Sequence, residues 1–172
     1  MKNPLAYFPY MEYRISIHIS SSSSYLHQKD DYQTLIELVN RYFSTHFLVL
    51  SYVLLPNQCH FLVRSRSLYA NESIQEFSQE LRDSIDSTFR KWRPENERNG
   101  MFVLPIPMEG VERINIIKQS ILHFHSLPVH LGIVEHEGDW FYSSYQWLQK
   151  GGQIHPLSNW LINFLSEREV SN

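Results

Sequence analysis

The chain has almost no cysteine: Cys59 is the only one among 172 residues. An internal disulfide is excluded, and Cys59 is expected to serve as a small core residue. Long hydrophobic runs are missing too. None approaches the about 20 residues of a membrane-spanning helix, so no membrane partner is expected. The N-terminus shows no basic segment followed by an apolar core, so no signal peptide is read and a cytoplasmic location is expected. Positive charge is not in surplus: 15 Lys and Arg stand against 18 Asp and Glu, a formal net charge of −3. Phosphate contacts supply much of the affinity of a nucleic-acid-binding domain, so this balance argues against strong binding of that kind and leaves room for a local patch. There is no internal repeat and no sign of a second domain.

What is present is a globular chain. Hydrophobic residues make up 42% of it, and its length suits one domain with a real core. Residues 1–150 read as that domain. Gly151-Gly152 is a break, and 151–172 read as a helical tail of the same domain, with Trp160, Leu161, Phe164 and Leu165 as its apolar positions.

The rest of the chain is organised around Leu54-Leu55-Pro56-Asn57-Gln58-Cys59-His60-Phe61-Leu62-Val63-Arg64. An apolar run over 47–55 precedes the Pro56-Asn57 turn signal, and a second over 61–63 follows it. The pattern predicts a β-hairpin whose second strand begins at Gln58. Alternation puts Gln58, His60 and Leu62 on one face and Cys59, Phe61 and Val63 on the other. A polar pair at the end of an apolar strand calls for a reason.

Residues 13–19 alternate cleanly, with Arg14, Ser16 and His18 on the polar face, and predict a half-exposed strand. The serine run over 20–24 reads as a loop. A helix is expected over 30–45, burying Tyr32, Leu35, Ile36, Val39, Tyr42 and Phe43 and capped by Asp30 or Asp31. Ser73-Ile74-Gln75-Glu76 fits a capping box for a second helix running to about Trp92. A short strand is expected over 101–104, then a third helix from Gly110 to about His125, with Ile114, Ile117, Ile121 and Phe124 as its stripe and Pro128 as its stop. This order predicts an α+β fold: an antiparallel sheet with helices on one face.

Several motifs carry a resemblance. The hairpin is similar to the Met-Pro-Asn-His-hydrophobic-His-hydrophobic-Leu-Val segment of single-tyrosine HUH transposases, the group that includes the REP-associated tyrosine transposases. Asn99-Gly100-Met101-Phe102 resembles Thr-Gly-x-Leu-Phe-Gln, with Val103 at the glutamine. The stretch from Pro128 to Val134 resembles Asn-Pro-Val-x-x-Gly-Leu-Val from its proline onward, and the stretch from Asp139 to Tyr145 resembles Asp-Tyr-x-Trp-Ser-Ser-Tyr. The resemblance implies a ferredoxin-like (RRM-like) fold and descent from enzymes that cut and join single-stranded hairpin DNA through a phosphotyrosine link.

It also implies where the chemistry would be. In the family, two histidines on one strand face and an asparagine or glutamine hold a divalent metal, Mg or Mn. A tyrosine four residues before the asparagine attacks the phosphate. Here His60 keeps one metal position and Gln58 replaces the other histidine. Leu127 falls at the asparagine, and His123 at the tyrosine; a shifted alignment puts Ile121 there instead. One imidazole and one amide make a poor site for a hard cation. The expectation is therefore a degenerate site that has lost its metal, a catalytically inactive domain, and weak binding of single-stranded or hairpin DNA. The basic residues Arg90, Lys91, Arg93 and Arg98 are the candidates for phosphate contact, although Asp83, Asp86, Glu95 and Glu97 nearly cancel them. A relocated His18/Gln58/His60 site, a non-catalytic nucleic-acid or protein-interaction module and a homodimer all stay open. His123 and His125, two apart on a helix, are expected to point apart. Tyr142 and Tyr145 read as packing and turn residues.

Overall fold

A computed structural model of the chain describes residues 12–19, 26, 28–65, 70–89, 101–107 and 113–145. The basic run over 90–98, the turn at 99–100 and the tail over 151–172 lie outside them. The elements are β1 (Glu12–Ile19), α1 (Lys29–His46), β2 (Phe47–Leu54), β3 (Gln58–Ser65), α2 (Ala70–Phe89), β4 (Met101–Pro107) and α3 (Arg113–His130). The strands form one sheet in the order β2-β3-β1-β4, with every pairing antiparallel. Strand β3 lies between β1 and β2, and each pair of outer and inner strands is spanned by a helix. This is the split βαβ arrangement of ferredoxin-like folds, as expected.

Period-2 alternation sorts the sheet into two buried faces. Tyr13, Ile15, Ile17, Cys59, Phe61 and Val63 pack with Tyr32, Leu35, Val39 and Phe43 of α1 and Leu81 and Ile85 of α2. Cys59 is fully buried there, and burial pushes its thiol up to about 12. On the opposite face Leu50, Val53, Leu55 and Leu62 meet Ile117, Ile121 and Phe124 of α3. Helices α1 and α2 thus share one face, and α3 covers the β2–β3 part of the other. Double coverage explains the unbroken apolar run before the hairpin: both faces of β2 are buried. A bulge assists. Val49 pairs with Val63 and Ser51 with Leu62, so Leu50 is the extra residue and the strand changes phase there.

The helix ends differ in part from the sequence reading. Helix α1 is capped two or three residues earlier than its acidic residues suggest, because Gln28 is the N-cap. Asp31 still serves the cap: its carboxylate accepts the Gln28 amide N–H at 2.9 Å. Helix α2 begins at Ala70, so Ser73 sits within the helix and does not cap it. Helix α3 runs through Pro128 to His130. Proline in the last turn costs one amide donor, and the surrounding packing tolerates it. The true stop is Gly132 at φ +67°. Its amide bonds the Val129 carbonyl at 2.9 Å, and the Ile133 amide bonds the Pro128 carbonyl at 2.9 Å, the two hydrogen bonds of a Schellman motif.

A Cβ at Gly132 would meet nothing within 4 Å, so Gly132→Ala costs backbone strain alone. Urea unfolding is expected to show a loss of roughly 1 kcal/mol. An unchanged midpoint would mean that the turn relaxes and that Gly132 does not set the helix end.

The chain beyond α3 returns to the sheet. Val53 bridges Ser143, the Leu54 amide bonds the Tyr142 carbonyl at 2.8 Å, and the Ser144 amide bonds the Tyr52 carbonyl at 2.9 Å. Trp140 donates its indole N–H to the Leu54 carbonyl at 2.9 Å. Residues 142–144 therefore cap the outer edge of β2, satisfying backbone groups that would otherwise invite another chain. Tyr142 stacks on Tyr32 with ring centroids 3.9 Å apart, a packing role.

Candidate functional site

The polar side of β1 and β3 forms the candidate site. Side chains of β1 at 13, 15 and 17 enter the core, so Glu12, Arg14, Ser16 and His18 share the opposite face. The register sets Glu12 across from Arg64, Arg14 across from Leu62, Ser16 across from His60 and His18 across from Gln58. One end is self-neutralised: Arg64 donates its Nε–H to a Glu12 oxygen at 2.8 Å, and its Nη2 reaches the same oxygen. Glu12 is fully buried in this pair.

The other end carries His60. Its Nδ1 is 2.9 Å from the Ser16 hydroxyl. Its ring meets the His18 ring edge-on at 5.5 Å between centroids and lies nearly parallel to Phe124 of α3 at 5.6 Å. Burial lowers its pKa to about 4, helped by the positive charge of His18, His123 and Arg14 nearby. Thus Gln58, His60 and His18 occupy one patch, and α3 brings His123 close enough for its charge to be felt at His60. His123 itself is exposed. Leu127, at the family's third ligand position, is half-buried and packed against the second core cluster.

These residues do not fit the divalent ion that the resemblance implies. The donors on this face are one imidazole already bonded to Ser16, a second imidazole from β1 and the Gln58 amide. Leu127 supplies none. Among the described residues no group of three or more His, Cys, Asp or Glu side chains is arranged to hold a metal. The Arg14 guanidinium near His60 repels Mg²⁺ or Mn²⁺ further. Arg90, Lys91, Arg93 and Arg98 lie outside the described residues.

A second polar cluster was not legible in the sequence. His125, two residues from exposed His123, turns inward and is buried. Its Nε2 is 3.0 Å from the Ser144 hydroxyl, which is 2.8 Å from the Ser51 hydroxyl and accepts the Tyr52 amide at 3.1 Å. Tyr145 meets the His125 ring edge-on at 5.3 Å. The cluster ties α3, the bulge in β2 and the edge-capping segment together. Burial lowers the pKa of His125 to about 4 as well. Its role is structural: every polar atom named here satisfies another, and Ser51 and Ser144 are both buried.

The fold and the patch define an α+β ferredoxin-like domain with a polar window in a largely apolar sheet. The solved structure of a REP-associated tyrosine transposase bound to a REP hairpin is similar to it. The TM-score is 0.67 with 14% sequence identity, and the match covers 92% of this chain and 90% of that one. At this identity the likeness shows a shared fold. No family model matches the chain, and no curated protein sequence matches it. Among the described residues no helix is long and apolar enough to cross a membrane.

Proposed function

We propose that the chain is a transposase-like nucleic-acid-binding domain that holds hairpin or single-stranded DNA without cutting it. The observation that carries this reading is the polar window of Arg14, Ser16, His18, Gln58 and His60 beside the Glu12–Arg64 pair, in a sheet whose other described face residues are mostly buried and apolar. The likeness in fold to a hairpin-bound transposase supports DNA as the ligand class. In this reading Arg90, Lys91, Arg93 and Arg98 add phosphate contacts that carry little sequence information, so Arg90→Ala with Lys91→Ala weakens unrelated sequences alike.

Catalytic silence follows from three losses together. His123 stands where a tyrosine would attack, Gln58 replaces a metal ligand, and Leu127 belongs to an apolar cluster. Groups that act as a unit are not additive, so restoring one does not restore activity. Incubation with labelled hairpin DNA and Mn²⁺, followed by denaturing electrophoresis, is expected to give no covalent adduct from the unaltered protein or from Gln58→His, Leu127→Asn or His123→Tyr alone. An adduct from the unaltered protein that disappears on His123→Ala would overturn the non-cutting part of the reading.

A further inference from the structure

Arg14 brings a positive charge to the window. Arg14 is half-buried, and its Nε is buried with no hydrogen-bond partner among the described residues. The acid on the same strand face, Glu12, two residues from Arg14, is paired through Oε1 with Arg64 directly across the ladder. His18 and His123 approach His60 from β1 and α3, and these two, with Arg14, bear on its charge. The Ser16 hydroxyl can donate to Nδ1, and in that tautomer the neutral His60 ring carries its proton on Nε2 as a donor. The Arg14 guanidinium and an imidazole N–H on neighbouring strands make a donor set for an anion, whereas they exclude a cation.

The geometry points to a phosphodiester site built by Arg14, His18 and His60, in which the Arg14 guanidinium provides the positive charge that a divalent ion would otherwise bring to the phosphate. The site takes a tetrahedral oxyanion: the guanidinium fork matches two phosphate oxygens, and an imidazole N–H reaches a third. It deepens the nucleic-acid-binding reading and rests on it for the source of the phosphate. The same chemistry would accept free inorganic phosphate.

The test uses the full chain in two arms. In the first, anisotropy of a labelled DNA hairpin with a single-stranded tail is followed across salt concentrations for the unaltered protein, Arg14→Gln, Arg14→Lys and Arg82→Gln. Arg82 is exposed on α2, on the far side of the sheet, and serves as the control. Arg14→Gln is expected to weaken binding about tenfold or more and to lower the salt slope by about one. Arg14→Lys recovers part of the affinity as a point charge, and Arg82→Gln changes nothing. In the second arm, NMR resonances of the His18 and His60 rings are followed while inorganic phosphate is added. They are expected to move, with the His60 titration shifting upward from about 4, and not to do so in Arg14→Gln. Thermal melts confirm that each variant is folded.

Unchanged DNA affinity and slope in a folded Arg14→Gln would overturn the site. Ring shifts with phosphate but no binding to any DNA would keep the anion site and overturn the nucleic-acid reading. Neither DNA binding nor phosphate-dependent shifts would overturn both.

Discussion

Arg64→Met is expected to lower the unfolding free energy by roughly 3–5 kcal/mol, a large share of a small domain's total stability. The cause is burial. Glu12 is 0% exposed, and the Arg64 guanidinium, 19% exposed, lies against it across the β1–β3 ladder. Taking the guanidinium away from a carboxylate in that position leaves desolvation without the attraction that offset it. The pair is costly to break and of little net worth, so the double variant Glu12→Gln with Arg64→Met should lose much less than Arg64→Met alone. Guanidinium chloride unfolding at pH 7.5 of both single variants and the double variant measures this. A loss below about 1 kcal/mol for Arg64→Met would show that the carboxylate is compensated elsewhere, and the argument from burial would fall.

The second large effect is acid sensitivity. His125 has a folded pKa of about 4, below the usual 6.5, because burial disfavours its charged form. A base whose folded pKa is depressed binds fewer protons in the native state. Its contribution is present above pH 6.5 and is lost as pH falls toward 4. The difference of about 2.5 units corresponds to roughly 3 kcal/mol at full protonation. His60 shifts in the same direction to about 4. Solvent reaches it more, so it contributes less. The unfolding midpoint should therefore drop steeply between pH 6.5 and 4. His125→Gln keeps a hydrogen-bonding partner for Ser144 and cannot titrate. That variant should be less stable at pH 7.5 but show a visibly flatter pH dependence. A profile as steep as that of the unaltered protein would place the acid-sensitive group elsewhere.

Much of the fold was legible because its signals are local. The i, i+3, i+4 stripe of α1 and the alternation of β1 name most of their buried residues, from Tyr32 and Phe43 to Ile15 and Ile17, although Ile36 and Tyr42 are only partly buried and Ser16, expected on a half-exposed face, is buried. The Pro56-Asn57 turn places the β2–β3 hairpin within a residue or two. Features that depend on pairing were not legible. The bulge at Leu50 leaves no mark in an apolar run, since both faces are buried. Pro128 looks like a stop, but only the left-handed turn at Gly132 and its two hydrogen bonds show where α3 ends. The same holds for the candidate site. The sequence offers Arg14, Ser16 and His18 on β1 and Gln58 and His60 on β3 as one polar sheet face, without saying which stands beside which. Only the β1–β3 register makes Ser16 the neighbour of His60 and His18 the neighbour of Gln58. His123 and His125 point apart as expected, and His125, four residues after Ile121, falls on the buried stripe; its bond to Ser144 is what only the docked α3 reveals.

The capping of β2 by residues 142–144 has a temporal side. Strand β2 ends at Leu54, yet the residues that close its outer edge are made about 90 residues later. At ordinary rates of synthesis that interval is roughly five to twenty seconds. Throughout it, a nascent chain carries a hydrophobic strand whose outer backbone groups have no permanent cover, while the hairpin partner β3 is already available. The ribosome-bound chain is thus most prone to pair wrongly with a neighbour in the window after β3 emerges and before Ser144 does. Translational pausing within that window should raise the yield of aggregates, and pausing after it should not.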